Sequence, residues 1–302
     1  RRVGWRSFKA PMLSVLIVNW NTRELLRACL HSLRASHAGL EHEIIVMDND
    51  SNDDSAPMVA REFPEVILLA EKRNLGFAAG NNRAFERARG ELIWLLNPDT
   101  EVLEDAPRRL IQFLEKNPRV GAVASALIDA RSGEIQRSCR TFPTPAALWS
   151  QALGLARAFP HSRRFGFYKM GWWNYRDARE VDQPMASSFL LRRQAVEDAG
   201  GLFDEEFPIF FNDVDLCWRL KRAGWEIWFL SDARVTHWGG AATGQIKAAM
   251  IAESHRALRH FYRKWFRGAL SPPVYIATVA MFECAGRVRH LLASRREKKS
   301  ER

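Results

Sequence analysis

The stretch Leu92-Ile93-Trp94-Leu95-Leu96-Asn97-Pro98-Asp99-Thr100 decides the reading of the fold. Five apolar residues in succession, with no polar alternation, mark a strand buried on both faces, as in a parallel sheet. The run stops at Asn97-Pro98, since proline cannot donate to a sheet ladder. A single carboxylate, Asp99, is thereby held up at the end of the strand, where open α/β sheets bind ligands. An oxygen ligand there suits a hard cation bridging two phosphates. A turn with an Asx cap is the plainer reading of the same three residues.

Working outward, Leu13 to Val18, Glu43 to Met47 and Val66 to Ala70 read as further short strands. Between them, Thr22 to Leu33 carries apolar residues at helical spacing, a second helix runs to Phe63, and Asn81 to Arg89 forms a helix ended by Gly90. This alternation predicts an α/β fold, a Rossmann-like, mostly parallel sheet flanked by helices. Downstream, Pro107 to Lys116 and Arg193 to Ala199 read as helices, Val120 to Ser125 and Ser187 to Arg192 as strands. Asp213 to Ala223 is a helix closed by Gly224, followed by strands at Trp225 to Leu230 and Ala233 to His237. Ser138 to Asp182, rich in Trp, Phe, Gly and Pro, has no assignable period. The organisation expected is a basic tail at 1–11, a domain at 12–244 with halves 12–100 and 101–244, and a helical extension with a basic tail at 245–302.

The 302 residues are 47% hydrophobic and 26% charged, enough for one large domain with an appendage. Lys and Arg number 45 against 35 Asp and Glu, a formal net charge of +10 that favours anionic partners. The excess sits at the ends, Arg1 to Lys9 and Arg287 to Arg302, and reads first as solvated tails. Basic residues do not interleave with aromatics in an RNA-recognition pattern, which argues against nucleic acid as a partner. Cys29, Cys139, Cys217 and Cys284 are far apart, with no zinc spacing and no disulfide framework, which fits a reducing cytoplasm. Neither a secretory signal nor a spanning segment is expected. Ala269 to Phe282 is apolar, broken by Pro272-Pro273 and followed by basic residues, a pattern that suits an anionic membrane surface or a core-packed terminal helix equally.

Four other segments carry polar groups at loop positions. Asp48-Asn49-Asp50-Ser51-Asn52-Asp53-Asp54-Ser55 follows a strand and suits a base and ribose, or an N-cap. Asn74-Leu75-Gly76-Phe77-Ala78-Ala79-Gly80-Asn81-Asn82 follows Lys72-Arg73, and its small residues and helix start suit phosphates. Phe210-Phe211-Asn212-Asp213-Val214-Asp215 puts two carboxylates at a helix start behind an aromatic wall, which suits a general base or a dipole complement. His237 ends a strand and can offer an imidazole to a metal, or serve structure alone.

Taken in order, these segments resemble the family 2 glycosyltransferases, particularly the rhamnosyltransferase-like branch that builds bacterial polysaccharides. The matching motifs are Ser14 to Asn21, Asp48-Asn49-Asp50-Ser51, Asn74 to Asn82, Asn97-Pro98-Asp99, Gly201-Leu202-Phe203-Asp204-Glu205 and Asn212 to Cys217. The resemblance implies a GT-A fold and an inverting, metal-dependent sugar transfer from a nucleoside-diphosphate donor, with dTDP-rhamnose the foremost candidate, to a hydroxyl of a glycan or lipid-linked acceptor. It implies Asn19, Asp48 and Asn49 at the base and ribose, Arg73 and Asn74 at the base or diphosphate, and Asp99 as the last carboxylate of a D-x-D motif holding Mg²⁺ or Mn²⁺, with His237 as an added ligand. Asp213 falls at the catalytic base. The chain departs from the pattern at Asn97, where the first D-x-D carboxylate stands, and at Asn212, where a Glu precedes the base, and the second departure leaves Asp215 open as an alternative base. Trp172, Trp173, Phe210, Phe211 and Trp218 are candidates to floor a sugar site. A lipid-linked acceptor implies work at the inner face of the membrane, with peripheral contact through the C-terminal extension. The rival reading is a catalytically silent nucleotide-binding scaffold of the same fold.

Overall fold

The structure, a computed structural model, describes residues 12–36, 39–103, 105–239 and 247–300, without the side chains of 247–249, 251 and 288–300. The tail expected at 1–11 and the boundary expected at 244 lie outside the described residues. The first half runs β1 (Leu13–Asn19), α1 (Arg23–Ser36), β2 (His42–Asp48), α2 (Ser55–Glu62), β3 (Ile67–Ala70), α3 (Phe77–Arg87) and β4 (Leu92–Leu96). There follow β5 (Thr100–Val102), α4 (Ala106–Lys116), β6 (Val120–Asp129), β7 (Cys139–Arg140), α5 (Pro145–Ala152), α6 (Leu155–Ala158), β8 (Arg179–Glu180) and β9 (Gln183–Pro184). The last part holds β10 (Ser188–Arg192), α7 (Arg193–Asp198), α8 (Asn212–Arg222), β11 (Glu226–His237), α9 (Lys247–Trp265) and α10 (Pro272–Ser300).

Among the described residues nine strands form one sheet, in the order β3-β2-β1-β4-β10-β6-β11-β5, with β8 against β11. β3, β2, β1 and β4 pair in parallel, as do β6 and β11. β10 lies antiparallel between β4 and β6 and joins the two parallel blocks. Alternation along the strands sends Val15 and Ile17 to a core shared with α1, α2 and α4, and Leu16 and Val18 to a core shared with α3, α7 and α8. Each such fully buried side chain contributes about 1.5–3 kcal/mol. Trp94 is sealed in the middle of β4, and its indole donates to Ser188 Oγ at 3.1 Å, so burial leaves no polar atom unpaired there.

Three expectations change. α3 starts at Phe77 rather than Asn81, just after Gly76 at φ 85°, a left-handed conformation natural to glycine. The two strands expected at 225–237 are one, irregular in register between Leu230 and Arg234. The unassigned stretch is built from β7, β8 and the short helices α5 and α6, and it is held by ring packing, such as Trp173 stacked on Tyr175 at 4.0 Å, rather than by any periodic element. The expected helical extension comprises α9 and α10, whose Phe261, Tyr262, Phe266 and Phe282 form a third core with Phe207 and Val214 of the main domain. Among the described residues no helix is long and apolar enough to cross a membrane.

Candidate active site

The site lies at the ends of the central strands. Beyond Leu96 the chain turns through Asn97-Pro98-Asp99 and returns as β5, which pairs with the end of β11 so that Thr100 faces His237. The Trp238 amide also donates to the Asp99 carbonyl at 3.0 Å. These pairings bring Asp99 Oδ1 to 3.5 Å from His237 Nε2, with both residues almost wholly buried at 6% and 4% exposure.

The state of that imidazole is fixed from behind. Gln136 Nε2 donates to the Asp129 carboxylate and to the His237 carbonyl, both at 3.1 Å and both pure acceptors. Gln136 Oε1 is thereby turned to His237 Nδ1, 2.8 Å away, and accepts a hydrogen bond from it. In the neutral ring this hydrogen bond would leave the lone pair on Nε2, the nitrogen nearer Asp99. Asp129 is kept ionised, its pKa held down at about 2 by the amide and hydroxyl of Ser132 and then by Gln136.

This donor set fits a Mg²⁺ or Mn²⁺ ion. Two cis ligands at about 2.1 Å stand roughly 3 Å apart, near the observed separation. Among the described residues no group of three His, Cys, Asp or Glu gathers to hold a metal, so the remaining positions suit oxygens that the protein does not supply, such as those of a diphosphate and water.

Asp213 stands on the first turn of α8. The preceding Phe211 is left-handed at φ 66°, an uncommon conformation for a bulky residue. Asn212 holds it by donating to the carbonyls of Phe207 and Ile209 while accepting from the Asp213 amide. The Asp213 carboxylate accepts from the Val214 amide at 2.8 Å and from the Ala186 amide. Burial pushes its pKa up, against the pull of those amides and of Arg140. The neighbouring Ser187 binds Asn97 twice, amide to carbonyl at 3.0 Å and side chain to side chain at 3.1 Å. The two residues leading into β10 therefore tie the Asp213 carboxylate to the Asp99 turn.

Asp215, the alternative base, is elsewhere. It is fully buried, with one oxygen on Arg219 Nε at 2.7 Å and the other on Lys264 Nζ and Trp265 Nε1, both at 2.8 Å. Arg219 continues to the carbonyls of Ala199, Gly201 and Leu202, and Lys264 to Asp204. Asp215 thus docks α9 onto α8 and has no path to an acceptor. Its spacing from Asp213 could have signalled this, since residues two apart on a helix face different ways.

The residues expected at the nucleotide have protein partners or stand exposed. Asn19, Asp48 and Asn49 are buried and bind one another or nearby loops: Asn19 donates to Asp48 Oδ1 at 2.8 Å, Asp48 accepts from the Ser51 amide, and Asn49 pairs with the backbone of Leu75 and Gly76. They shape the loops that face the cleft. Arg73 and Asn74 are exposed, and the Asn74 side chain caps the Gly76 amide. The start of α3, expected to face phosphates, is closed by Pro208, whose carbonyl accepts from the amides of Phe77 and Ala78. Asn82 likewise clasps the backbone of Phe203 and the carboxylate of Glu205. Of the aromatic candidates, Trp173 and Trp218 are packed among other rings, Trp172 lies under Arg163 and Arg179, and Phe210 and Phe211 stay half-buried beside Asp213.

The model of the glycosyl transferase family 2 matches residues 14–175, more than half of the chain. An N-acetylglucosaminyl-diphospho-decaprenol L-rhamnosyltransferase of Mycobacterium tuberculosis is 28% identical over 251 residues, covering 75% of this chain and 78% of that one. The O-antigen biosynthesis protein RfbC of Myxococcus xanthus is 26% identical over 281 residues, 91% of this chain and 21% of that one. Among solved structures, the mannosyltransferase PcManGT from Pyrobaculum calidifontis, in complex with GDP-Man and Mn²⁺, superposes with a TM-score of 0.58 at 17% identity, over 95% of this chain and 76% of that one. GalNAc-T7 with UDP, GalNAc and Mn²⁺ gives a TM-score of 0.58 at 16% identity, over 83% and 48%. The sheet order, the helices on both its faces and these likenesses make the fold that of the GT-A glycosyltransferases, and the chain belongs to glycosyl transferase family 2.

Proposed function

We propose that this protein is an inverting glycosyltransferase that uses Mg²⁺ or Mn²⁺ to move a sugar from a nucleoside-diphosphate donor to a hydroxyl of a glycan or lipid-linked acceptor. The observation that carries the reading is the convergence of two unlike carboxylates. Asp99 stands 3.5 Å from a histidine ring nitrogen, burial raises the pKa of Asp213, and the pair Ala186-Ser187 joins them. Asp99 Oδ1 and His237 Nε2 would hold the ion, which neutralises charge on the departing diphosphate.

Asp213 takes the proton of the acceptor hydroxyl. The acceptor oxygen forms its bond to the anomeric carbon as the bond to the diphosphate breaks on the opposite face, and configuration inverts. Asn19, Asp48 and Asn49 set the loops against which base and ribose rest, and Arg73, exposed and without a hydrogen bond or ion pair among the described residues, is the cation for the donor's phosphates. The likeness to a rhamnosyltransferase with a polyprenyl diphosphate acceptor supports dTDP-rhamnose as donor, a role in cell-surface polysaccharide synthesis, and a place at the inner face of the membrane.

Thermal melts with dTDP, UDP and GDP, each with and without Mn²⁺, test the reading, because a ligand of the folded state raises its apparent stability. One diphosphate is expected to stabilise the protein in a Mn²⁺-dependent manner, and Asp99→Asn to remove the Mn²⁺-dependent part. Stabilisation without any sugar transfer would favour the silent scaffold, and no stabilisation by any of the three would overturn the donor site itself.

A further inference from the structure

The middle of the chain is near charge balance only on average. No Asp or Glu occurs between Glu134 and Asp177, a stretch with six arginines and Lys169, nor between Glu253 and Glu283, which enclose Arg256, Arg259, Arg263, Lys264 and Arg267. These two stretches pack on each other through α5, α9 and α10. Tyr262 donates to the Pro143 carbonyl and sits 5.3 Å from the ring of Phe282, while Trp149 donates to Thr278. The chain thus runs from 143 to 149 as α10 runs backward from 282 to 278. The two segments are antiparallel, and the end of α5 lies beside the start of α10.

Large exposed apolar side chains are concentrated in these two segments. Among the described residues there are seven, and four of them are Leu153 (66%), Phe159 (54%), Val274 (46%) and Ile276 (64%). α10 itself turns Tyr275, Thr278, Val279 and Phe282 inward, yet its outer stripe, Pro273, Ile276, Ala277, Ala280 and Cys284, carries no charge. A helix on a soluble surface ordinarily places charged residues there. The same segments carry the exposed Arg157, Arg164 and Arg267, and the chain continues past Gly286 with seven Lys and Arg against two Glu.

We propose that this face, formed jointly by the 153–164 segment and the first turns of α10, docks on an anionic membrane surface. The apolar side chains enter the acyl boundary and the arginines meet the lipid phosphates. Charge selects this occupant, since positive charge on the same segments as the apolar side chains repels a second copy of the same face. The helix lies along the surface and does not span it. The proposal rests on the membrane placement proposed above and gives it a docking face, and its test is separate from the transfer reaction, because docking needs neither donor nor acceptor.

Co-sedimentation of the full chain with phosphatidylcholine vesicles, with and without phosphatidylglycerol, tests it. Binding to the phosphatidylglycerol vesicles alone is expected, weakened by salt. The double variant Leu153→Asp/Ile276→Asp should partition about tenfold less or worse, with unchanged melting temperature and unchanged stabilisation by nucleotide. An environment-sensitive dye on Cys284, which is exposed on the same stripe, should shift to the blue on binding. Absence of binding to the anionic vesicles, or equal binding by the folded double variant, overturns the proposal. A dimer in sedimentation velocity that the double variant abolishes would assign the face to a second copy instead.

Discussion

The cleft and the α8–α9 joint both bury carboxylates, in opposite surroundings. At the joint, Asp215 meets a guanidinium, an ammonium and an indole N–H, so its charge is matched inside the protein. In the cleft, Asp99 accepts no hydrogen bond from a side chain among the described residues and has His237 Nε2 at 3.5 Å, while Asp213 accepts from backbone amides alone and burial raises its pKa. A buried carboxylate with full partners is a fastener. One whose partners are withheld is unfavourable in isolation and is set for a cation or a proton. Two residues on one helix, Asp213 and Asp215, divide between these roles.

The comparison is broken most severely if cleft variants lose stability rather than chemistry. Asp213→Asn is expected to lower kcat by about 10²–10⁴-fold, with donor binding retained, in a steady-state transfer assay. In the wild type, kcat/KM should fall on the acid side as the base takes up its proton, at a pH above the ordinary Asp range. The sign for stability is opposite to the usual Asp case. A carboxyl whose folded pKa is raised binds more protons folded than unfolded, so its contribution falls as pH rises through that interval. Asp213→Asn should therefore leave the melting temperature at neutral pH unchanged or higher. A large drop would make Asp213 a fastener too.

At the joint the expectation reverses. Asp215→Ala leaves Arg219 and Lys264 facing a vacated pocket and should cost about 3–5 kcal/mol in a denaturant melt. Nucleotide stabilisation of the fraction that remains folded should persist. A variant of normal stability that is dead in the transfer assay would move Asp215 into the chemistry.

The finest test addresses Gln136, which touches neither the donor nor the ion in this reading. Gln136→Leu removes the acceptor that fixes the His237 tautomer and is expected to weaken Mn²⁺ affinity about 10–100-fold, followed by electron paramagnetic resonance with the stabilising diphosphate present. Gln136→Glu keeps an acceptor for Nδ1 and should retain more of the affinity. Equal affinity in Gln136→Leu would mean that His237 is not a ligand.

Much of this was legible in the chain itself. The apolar run at 92–96, the repeated strand-helix alternation and the polar segments at strand ends define a mostly parallel sheet with its site at the strand termini, because burial on both faces and the 3.6-residue period leave direct marks in sequence. Asp99 and His237 stand at strand ends and follow from the same pattern, whereas Asp213, on a helix start, is pointed to by the family resemblance. Tertiary structure alone decided what each polar residue meets. Asn19 and Asp48 bind each other across β1 and β2, Asn49 binds the backbone of Leu75 and Gly76, Pro208 closes the start of α3 from far along the chain, and Gln136 orients a histidine a hundred residues away. The short strands and helices of 138–182 rest on ring packing, which has no period to read. Local pattern reports whether a segment is buried. Whether a buried charge is neutralised or left waiting depends on partners that only the fold brings near.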